Sequence, residues 1–502
     1  MNSQNSKSFQ VSPANISEIL YKAVEENSER PALVLPDISW TYAELGSLIS
    51  AASNILRDHL INKGSRIAII GNNHPAYIVA YFAAQCLGAS TVEVGRFESL
   101  NTLLGIVRET GVCFVLTDRD DLKTSLQGHV HTESFQKFLS LCVEKAVKTE
   151  PLPKISSSID SAEAASIVYT SGTTGLPKGV ILTQGNFCFI IASIVDYLKL
   201  SKEDRYALIL PLCHTYGKTV MLTSLAIGAA VVLLLNFQNL PNFLSLVESK
   251  RCTLLSAVPY HAHVLLKWGN LSKYDLSSLR AITFSGNKLP PANIDQLREK
   301  LPGAQIFSMY GLTESTTRAC YVPPELIIKK KDSCGRPLPG VELKIIGEDG
   351  STLPSGQVGE VLLRGPNVMK GYFLEPELTA KTIVNGWLKT GDLGYLDEDG
   401  FLYLEGRTKE IIKCAGERIS PAEIENVLIK HPCVADVSVK GTSDPVLGEI
   451  VHAYIVQSGS VKEEELRTYC AKQLSHHKIP RRYTFVDILP KTATGKVKKY
   501  LL

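Results

Sequence analysis

The sequence predicts an α/β protein of two unequal domains. Residues 1–407 form a large N-terminal domain of layered, mostly parallel sheets with helices plus a small β-barrel, and residues 408–502 a small mobile α+β C-terminal domain. Three observations carry this expectation. From residue 16 to residue 117 short apolar runs alternate with helical spacings, and strands separated by helices pair in parallel under a helical cover. From residue 335 to residue 403 the runs shorten, alternate in polarity and sit between Gly and Pro turns, the pattern of a small antiparallel barrel or sandwich. The chain, at 502 residues, is also too long for one ordinary core.

The elements follow in order. Residues 16–26 have helical spacing and residues 32–35 form a short strand. Thr41 and Glu44 make a capping-box signature for a helix running to about residue 60. A strand at 66–70, a helix at 75–87 stopped by Gly88, a strand at 90–94, a helix at 100–109 and a strand at 112–117 continue the alternation. Residues 149–162 read as a polar connector. A helix at 187–197 and strands at 206–210, 254–258, 281–284 and 305–308 follow, and the apolar run 225–235 reads as a buried strand. After Gly406 come helices at 422–430 and 462–473 with strands near 436–439 and 452–456.

Composition excludes several classes. A net charge of +3, without a basic stripe interleaved with aromatics, gives no nucleic-acid signature. The eleven cysteines are scattered and never in C-x2-C spacing, which argues against zinc and a disulfide framework and for a reducing compartment. Residues 1–10 lack an apolar signal core, and no apolar run reaches the roughly 20 residues of a membrane helix. A cytoplasmic protein is expected.

The chemistry begins at residues 166–180. An apolar strand leads into Thr170, Ser171, Gly172, Thr173 and Thr174, then Leu176, Pro177, Lys178 and Gly179, then apolar residues again. Glycines let several N–H groups converge; the hydroxyls add donors and Lys178 a positive charge, so the loop suits a polyphosphate. It is not a Walker P-loop, because Pro177 precedes the lysine and Gly179 follows it.

This string resembles the phosphate loop of the adenylate-forming enzymes: acyl-CoA synthetases, peptide-synthetase adenylation domains and beetle luciferases. Further motifs in the family's order extend the resemblance from about residue 165 to the end: Tyr310-Gly311-Leu312-Thr313-Glu314, Ser285 to Pro290, Thr390-Gly391-Asp392, Gly406-Arg407 and the tail Pro490 to Lys496. The resemblance implies ATP and Mg²⁺ as cofactors. Tyr310 would stack on adenine, Gly286 and Asn287 would lie on its amino side, Thr313 would touch phosphate, and Glu314, with Thr170, would serve the metal as hard oxygen ligands. Asp392 and Arg407 would hold the ribose. Lys496 would bridge the acid carboxylate and the α-phosphate, removing the repulsion between two anions. His214 matches the position gating the acid pocket, around which Thr215, Tyr216, Thr219, Ser285 and Gly311 would lie. Lys409 matches the hinge; the loop after it would bring Lys413 and Gly416 to the incoming thiol.

The implied function is two-step ligation. A carboxylic acid and Mg-ATP give an acyl-adenylate and pyrophosphate, and a phosphopantetheine thiol then displaces AMP. The acceptor is coenzyme A or a carrier protein, and with the chain ending six residues after Lys496 a free-standing enzyme is expected. The spacing around Asn287 leans toward amino-acid activation, with a small amino acid such as proline loaded onto a carrier protein in natural-product biosynthesis. Thr215 stands where amino-acid-activating relatives usually place an Asp for the ammonium, which leaves Glu93 as a candidate for that role. The alternatives are an acyl-CoA synthetase for a fatty, aryl or other small acid, a luciferase-like oxidoreductase that shares the adenylation step, and a non-catalytic nucleotide-binding relative. No nucleic-acid partner and no membrane insertion are expected.

Overall fold

The structure, a computed structural model, describes residues 15–146, 159–170, 177–234, 237, 239–414, 417–491 and 497–502. The chain divides into two compact units: one runs to residue 332 and adds 337–341 and 364–383, and the other holds 333–336, 342–363 and 384 onward.

The first unit opens with helix α1 (Ile16–Glu26), strands β1 (Pro31–Val34) and β2 (Ser39–Thr41), and helix α2 (Tyr42–Asp58). Then β3 (Arg66–Ile70), α3 (Pro75–Cys86), β4 (Ser90–Glu93), α4 (Leu100–Thr110), β5 (Phe114–Thr117), α5 (Asp120–Leu126), β6 (His131–Glu133) and α6 (Phe135–Ala146) alternate without interruption. They are followed by β7 (Ala164–Thr170), β8 (Lys178–Thr183), α7 (Gln184–Tyr197), β9 (Arg205–Leu208), α8 (Thr215–Ala226), β10 (Ala230–Leu233), α9 (Leu240–Ser249), β11 (Leu254–Ala257), α10 (Pro259–Trp268), β12 (Ala281–Phe284), α11 (Pro291–Lys300), β13 (Gln305–Tyr310) and β14 (Cys320–Val322).

Two sheets result. Among these strands one sheet has the order β14-β13-β12-β11-β9-β10-β1-β2; it is parallel from β13 to β1, with β14 and β2 antiparallel at the ends. The other is seven-stranded, running from the short strand Gly371–Tyr372 through β8-β7-β4-β3-β5-β6. It is parallel from β7 to β6 and antiparallel at the β8 end. Strands such as β4 and β5 are buried at every residue, as expected where helices cover both faces.

Local chemistry explains the boundaries. Both capping-box hydrogen bonds form at Thr41 and Glu44, and α2 ends by Asp58, just before Leu60 takes a φ of 63°. The run 225–235 departs from the expected strand: its first residues finish α8, the chain turns at Gly228 with φ 79°, and only Ala230–Leu233 is strand. A short apolar run does not distinguish a buried helix end from a buried strand by periodicity.

In the second unit, Gly359–Arg364 and Leu402–Arg407 pair antiparallel with Trp387–Leu396 on either side. Farther on, Val434–Asp444 and Gly448–Gln457 form a long hairpin, and Arg482–Phe485 adds in parallel. Helices Pro421–Leu428 and Glu463–Ala471 close its core, where Ile412, Ile424, Leu428, Val439, Ala453 and Leu466 are buried. Among the described residues no helix is long and apolar enough to cross a membrane, and no disulfide joins the cysteines.

Candidate active site

The hydroxyl-rich segment leaves and re-enters one hairpin. In the antiparallel register of β7 and β8, Thr170 pairs with Lys178 and Val168 with Val180. The two flanking strands are thus where the spacing put them. Ser171, Gly172, Thr173 and Thr174 lie outside the described residues. The Lys178 ammonium lies 5.7 Å from the centre of the Tyr372 ring.

The Tyr310 motif is a tight return. β13 ends at Tyr310, and Thr313–Ser315 makes one 3-10 turn. Glycine is required at 311, since a Cβ there would sit 2.2 Å from the Thr317 carbonyl oxygen. Thr316 and Thr317 adopt φ of 50° and 73°, strained for side chains of this kind unless the surroundings hold them. Residues 367–372 do so. Thr316 Oγ1 donates to the Asn367 carbonyl at 2.8 Å, and the buried Asn367 amide donates to the Arg318 carbonyl at 2.7 Å. The Met369 N–H donates to the Glu314 carbonyl at 2.8 Å, and the Tyr372 hydroxyl to Glu314 Oε1 at 2.9 Å. Among the described residues no three His, Cys, Asp or Glu side chains form a metal cage. A single oriented carboxylate fits Mg²⁺, which commonly takes its other ligands from waters and substrate phosphates.

The residues expected on the acid side lie on and before the first turn of α8. His214 is its N-cap residue without a side-chain capping bond, and burial lowers the pKa of its imidazole, so the ring is neutral near pH 7. Gly217 permits a close approach: a Cβ there would lie 2.5 Å from the Pro211 carbonyl oxygen. Asn73 clamps the loop before His214, donating to the Leu210 carbonyl at 2.9 Å and accepting from the Leu212 N–H at 2.8 Å. Thr215 is buried. Thr219 is fully buried and its hydroxyl donates to the Tyr216 carbonyl at 3.0 Å, so it is engaged with its own helix. At the end of β12, Ser285 is buried, Gly286 has φ 91° and Asn287 is exposed.

Behind Tyr216 the interior is filled. Its hydroxyl bonds Thr283 Oγ1 at 2.8 Å, and the Arg318 guanidinium lies 4.3 Å from its ring centre. Arg318, 1% exposed, donates from Nε to the Tyr197 hydroxyl and from a terminal nitrogen to the Thr317 carbonyl, both at 3.2 Å. Its contacts are aromatic rings, a hydroxyl and a carbonyl, with no carboxylate among the described residues.

Glu93 is not available to hold a substrate ammonium. It is fully buried and ion-paired with Lys218, itself fully buried, and Thr91 Oγ1 donates to it at 2.6 Å. Lys218, one turn into α8, points into this pair. Burial acts to strip its proton and lowers its pKa, while the adjoining carboxylate opposes that loss.

In the second unit Asp392 and Arg407 face each other across an antiparallel pair, and Arg407 Nε lies 2.9 Å from Asp392 Oδ1. The guanidinium therefore orients the carboxylate expected to meet the ribose. Lys409 lies in the turn Thr408–Glu410, whose Thr408 hydroxyl donates to the Gly391 carbonyl at 3.2 Å. Lys413 is exposed on Ile412–Cys414, its N–H bound to Glu449 Oε2 at 2.7 Å. Gly416 and Lys496 lie outside the described residues. Lys499, just beyond, pairs with Glu410 at 3.0 Å and Glu425 at 3.1 Å.

Sequence reading missed Asn73, Arg318, Asn367 and Tyr372. Arg318 alone carried a usable signal, a charged residue just after the Tyr310 motif and before the apolar strand β14.

The AMP-binding enzyme family matches residues 20–373, and the AMP-binding enzyme C-terminal domain matches residues 423–496. The 2-succinylbenzoate--CoA ligase of Bacillus subtilis is 34% identical over 478 residues, covering 95% of this chain and 96% of that protein. The Bacillus subtilis o-succinylbenzoate CoA synthetase in complex with its acyl-adenylate intermediate superposes with TM-score 0.88 at 34% identity, over 96% of this chain and 97% of that one. ATP-bound MatB from Rhodopseudomonas palustris gives TM-score 0.88 at 26% identity, over 97% and 98%.

Proposed function

The chain belongs to the AMP-binding enzyme family and is an ATP-dependent acid–thiol ligase; on that premise we propose that its acid is small and compact and that the acyl group leaves on a phosphopantetheine thiol. One observation carries the size: Tyr216, Arg318, Tyr197 and Tyr206 are buried behind the α8 first turn, where a long alkyl chain would need a tunnel. Filling such space with close-packed side chains leaves no room for extra methylenes.

In the first half-reaction a carboxylate oxygen of the acid forms a bond to the α-phosphorus of ATP, and the bond to pyrophosphate breaks. Lys178 and the loop hydroxyls bind phosphate, Tyr310 stacks on adenine, and Asp392, oriented by Arg407, receives the ribose. Glu314 and Thr170 would hold Mg²⁺, which when bound neutralises phosphate charge. Lys496 stabilises the charge that develops between the two anions, and neutral His214 walls the acid without adding charge. In the second half-reaction the thiol sulfur attacks the acyl carbon and AMP leaves with the bonding electrons. The C-terminal domain pivots near Lys409 between the two, which brings Lys413 and Gly416 to the thiol.

The preferred substrate is a small amino acid such as proline, loaded onto a carrier protein. Asn287 and the spacing from Ser285 to Pro290 support this reading. With Glu93 committed to Lys218, neutral hydroxyl and carbonyl oxygens would meet the ammonium. The second reading is a coenzyme A ligase for a compact aryl or keto acid, favoured by the relatives' substrates and by Arg318, a buried cation without a carboxylate.

ATP–pyrophosphate exchange with L-proline, other small amino acids, 2-succinylbenzoate, benzoate and octanoate tests the acid; thioester formation with coenzyme A and with a phosphopantetheinylated carrier protein tests the acceptor. Exchange with octanoate alone would sink the compact-acid reading. Exchange with 2-succinylbenzoate and transfer only to coenzyme A would replace the first reading by the second.

A further inference from the structure

A buried ion pair ties the helix that begins beside His214 to β4, and a hydrogen bond from the same ammonium ties it to β7, the strand that ends at Thr170. Lys218 lies one turn into α8, its N–H donating to the His214 carbonyl at 3.1 Å. Its ammonium reaches Glu93 on β4 and donates to Ser166 Oγ on β7 at 3.1 Å. Thr91 and Ser166 are register partners on adjacent strands, and their hydroxyls lie 3.1 Å apart. The rings of Tyr81 and Phe187 lie 5.2 Å and 5.6 Å from the ammonium and enclose it.

Taking two ions out of water costs more than their attraction commonly returns, so apolar side chains of similar volume would serve packing as well. What an ion pair adds is direction: only one placement of the helix satisfies Lys218, Glu93, Ser166 and Thr91 together. On β7, Ser166, Val168 and Thr170 alternate onto one face, so this network fixes α8 against the strand from which the phosphate loop departs.

We propose that Lys218 and Glu93 are positioning residues for adenylation. They hold His214 and Thr215 in one register relative to Thr170, and so place the acid's carboxylate oxygen in line with the α-phosphorus it attacks as pyrophosphate leaves. The inference rests on the adenylation chemistry of the family and is independent of which acid is used.

The test is the neutral double variant Lys218→Met/Glu93→Gln beside both single variants. Exchange is measured with the acid of the above panel that gives the strongest signal, together with the melting temperature and the KM for ATP. Each single substitution strands a buried polar or charged partner and lowers the melting temperature; the double variant recovers most of it. The double variant nevertheless shows a rise of roughly tenfold or more in the KM for the acid and a fall in kcat, while the KM for ATP moves by less than about threefold. A folded double variant with both acid parameters within about twofold of the parent overturns the proposal. Ser166→Ala, which keeps the ion pair and removes the hydroxyl that bonds Lys218, Thr91 and Glu93, raises the acid KM roughly threefold. Should the double variant fail to fold, an unchanged acid KM in Ser166→Ala overturns the proposal by itself.

Discussion

The Tyr372 hydroxyl donates a hydrogen bond of 2.9 Å to the carboxylate of Glu314, while the same ring lies beside the Lys178 ammonium. Tyr372 therefore orients the carboxylate proposed for Mg²⁺ from the same strand pairing that returns the phosphate loop to the sheet. Tyr372→Phe removes that bond without changing the ring. The loss of about 1 kcal/mol should raise the Mg²⁺ concentration for half-maximal pyrophosphate exchange by roughly fivefold. The melting temperature should stay within a few degrees of the parent's. An unchanged Mg²⁺ requirement would show that Glu314 needs no such support.

Arg318 closes the space behind Tyr216. Arg318→Leu should open it, raising octanoate-dependent exchange at least about tenfold over background, the scale of a few methylenes in an apolar pocket. The exchange of compact acids should change less. If chain-length preference is unaltered, the plug lies elsewhere.

Stability should depend on pH through His261. Its Nδ1 accepts the Val258 N–H at 3.2 Å at the start of α10, and burial pushes the imidazole down to about 4. The folded state therefore takes up this proton less readily than the unfolded chain, whose histidine titrates near 6.5. The stabilisation is complete above about pH 6.5 and is lost as pH falls from there to about 4, with a slope of at most ~1.4 kcal/mol per pH unit. Melting curves across that window should show the fall, and His261→Gln should flatten it. Equal slopes in parent and variant would assign the acid sensitivity to another group.

The two half-reactions should separate by mutation. Lys496→Ala should lower adenylate formation by roughly 10²–10³-fold, the scale of losing one preorganised charge contact, and leave thioester formation from supplied acyl-adenylate largely intact. Lys409→Pro should do the reverse, restricting the pivot. Equal losses in both half-reactions for Lys409→Pro would remove the hinge from the mechanism.

Much of this protein is written locally. The alternation that makes two mostly parallel sheets, the capping box at Thr41 and Glu44, and the strands that end at Thr170 and begin at Lys178 depend on neighbours in sequence, so periodicity and turn chemistry suffice to read them. The order of the nucleotide motifs is likewise a property of the string. Partner choice between distant residues is not: whether Glu93 meets a substrate or Lys218, whether Arg318 faces solvent or Tyr216, and whether Tyr372 reaches Glu314 follow from how sheets and helices pack. A buried charge or hydroxyl must be satisfied by whatever the fold brings beside it, and only the tertiary structure says what that is.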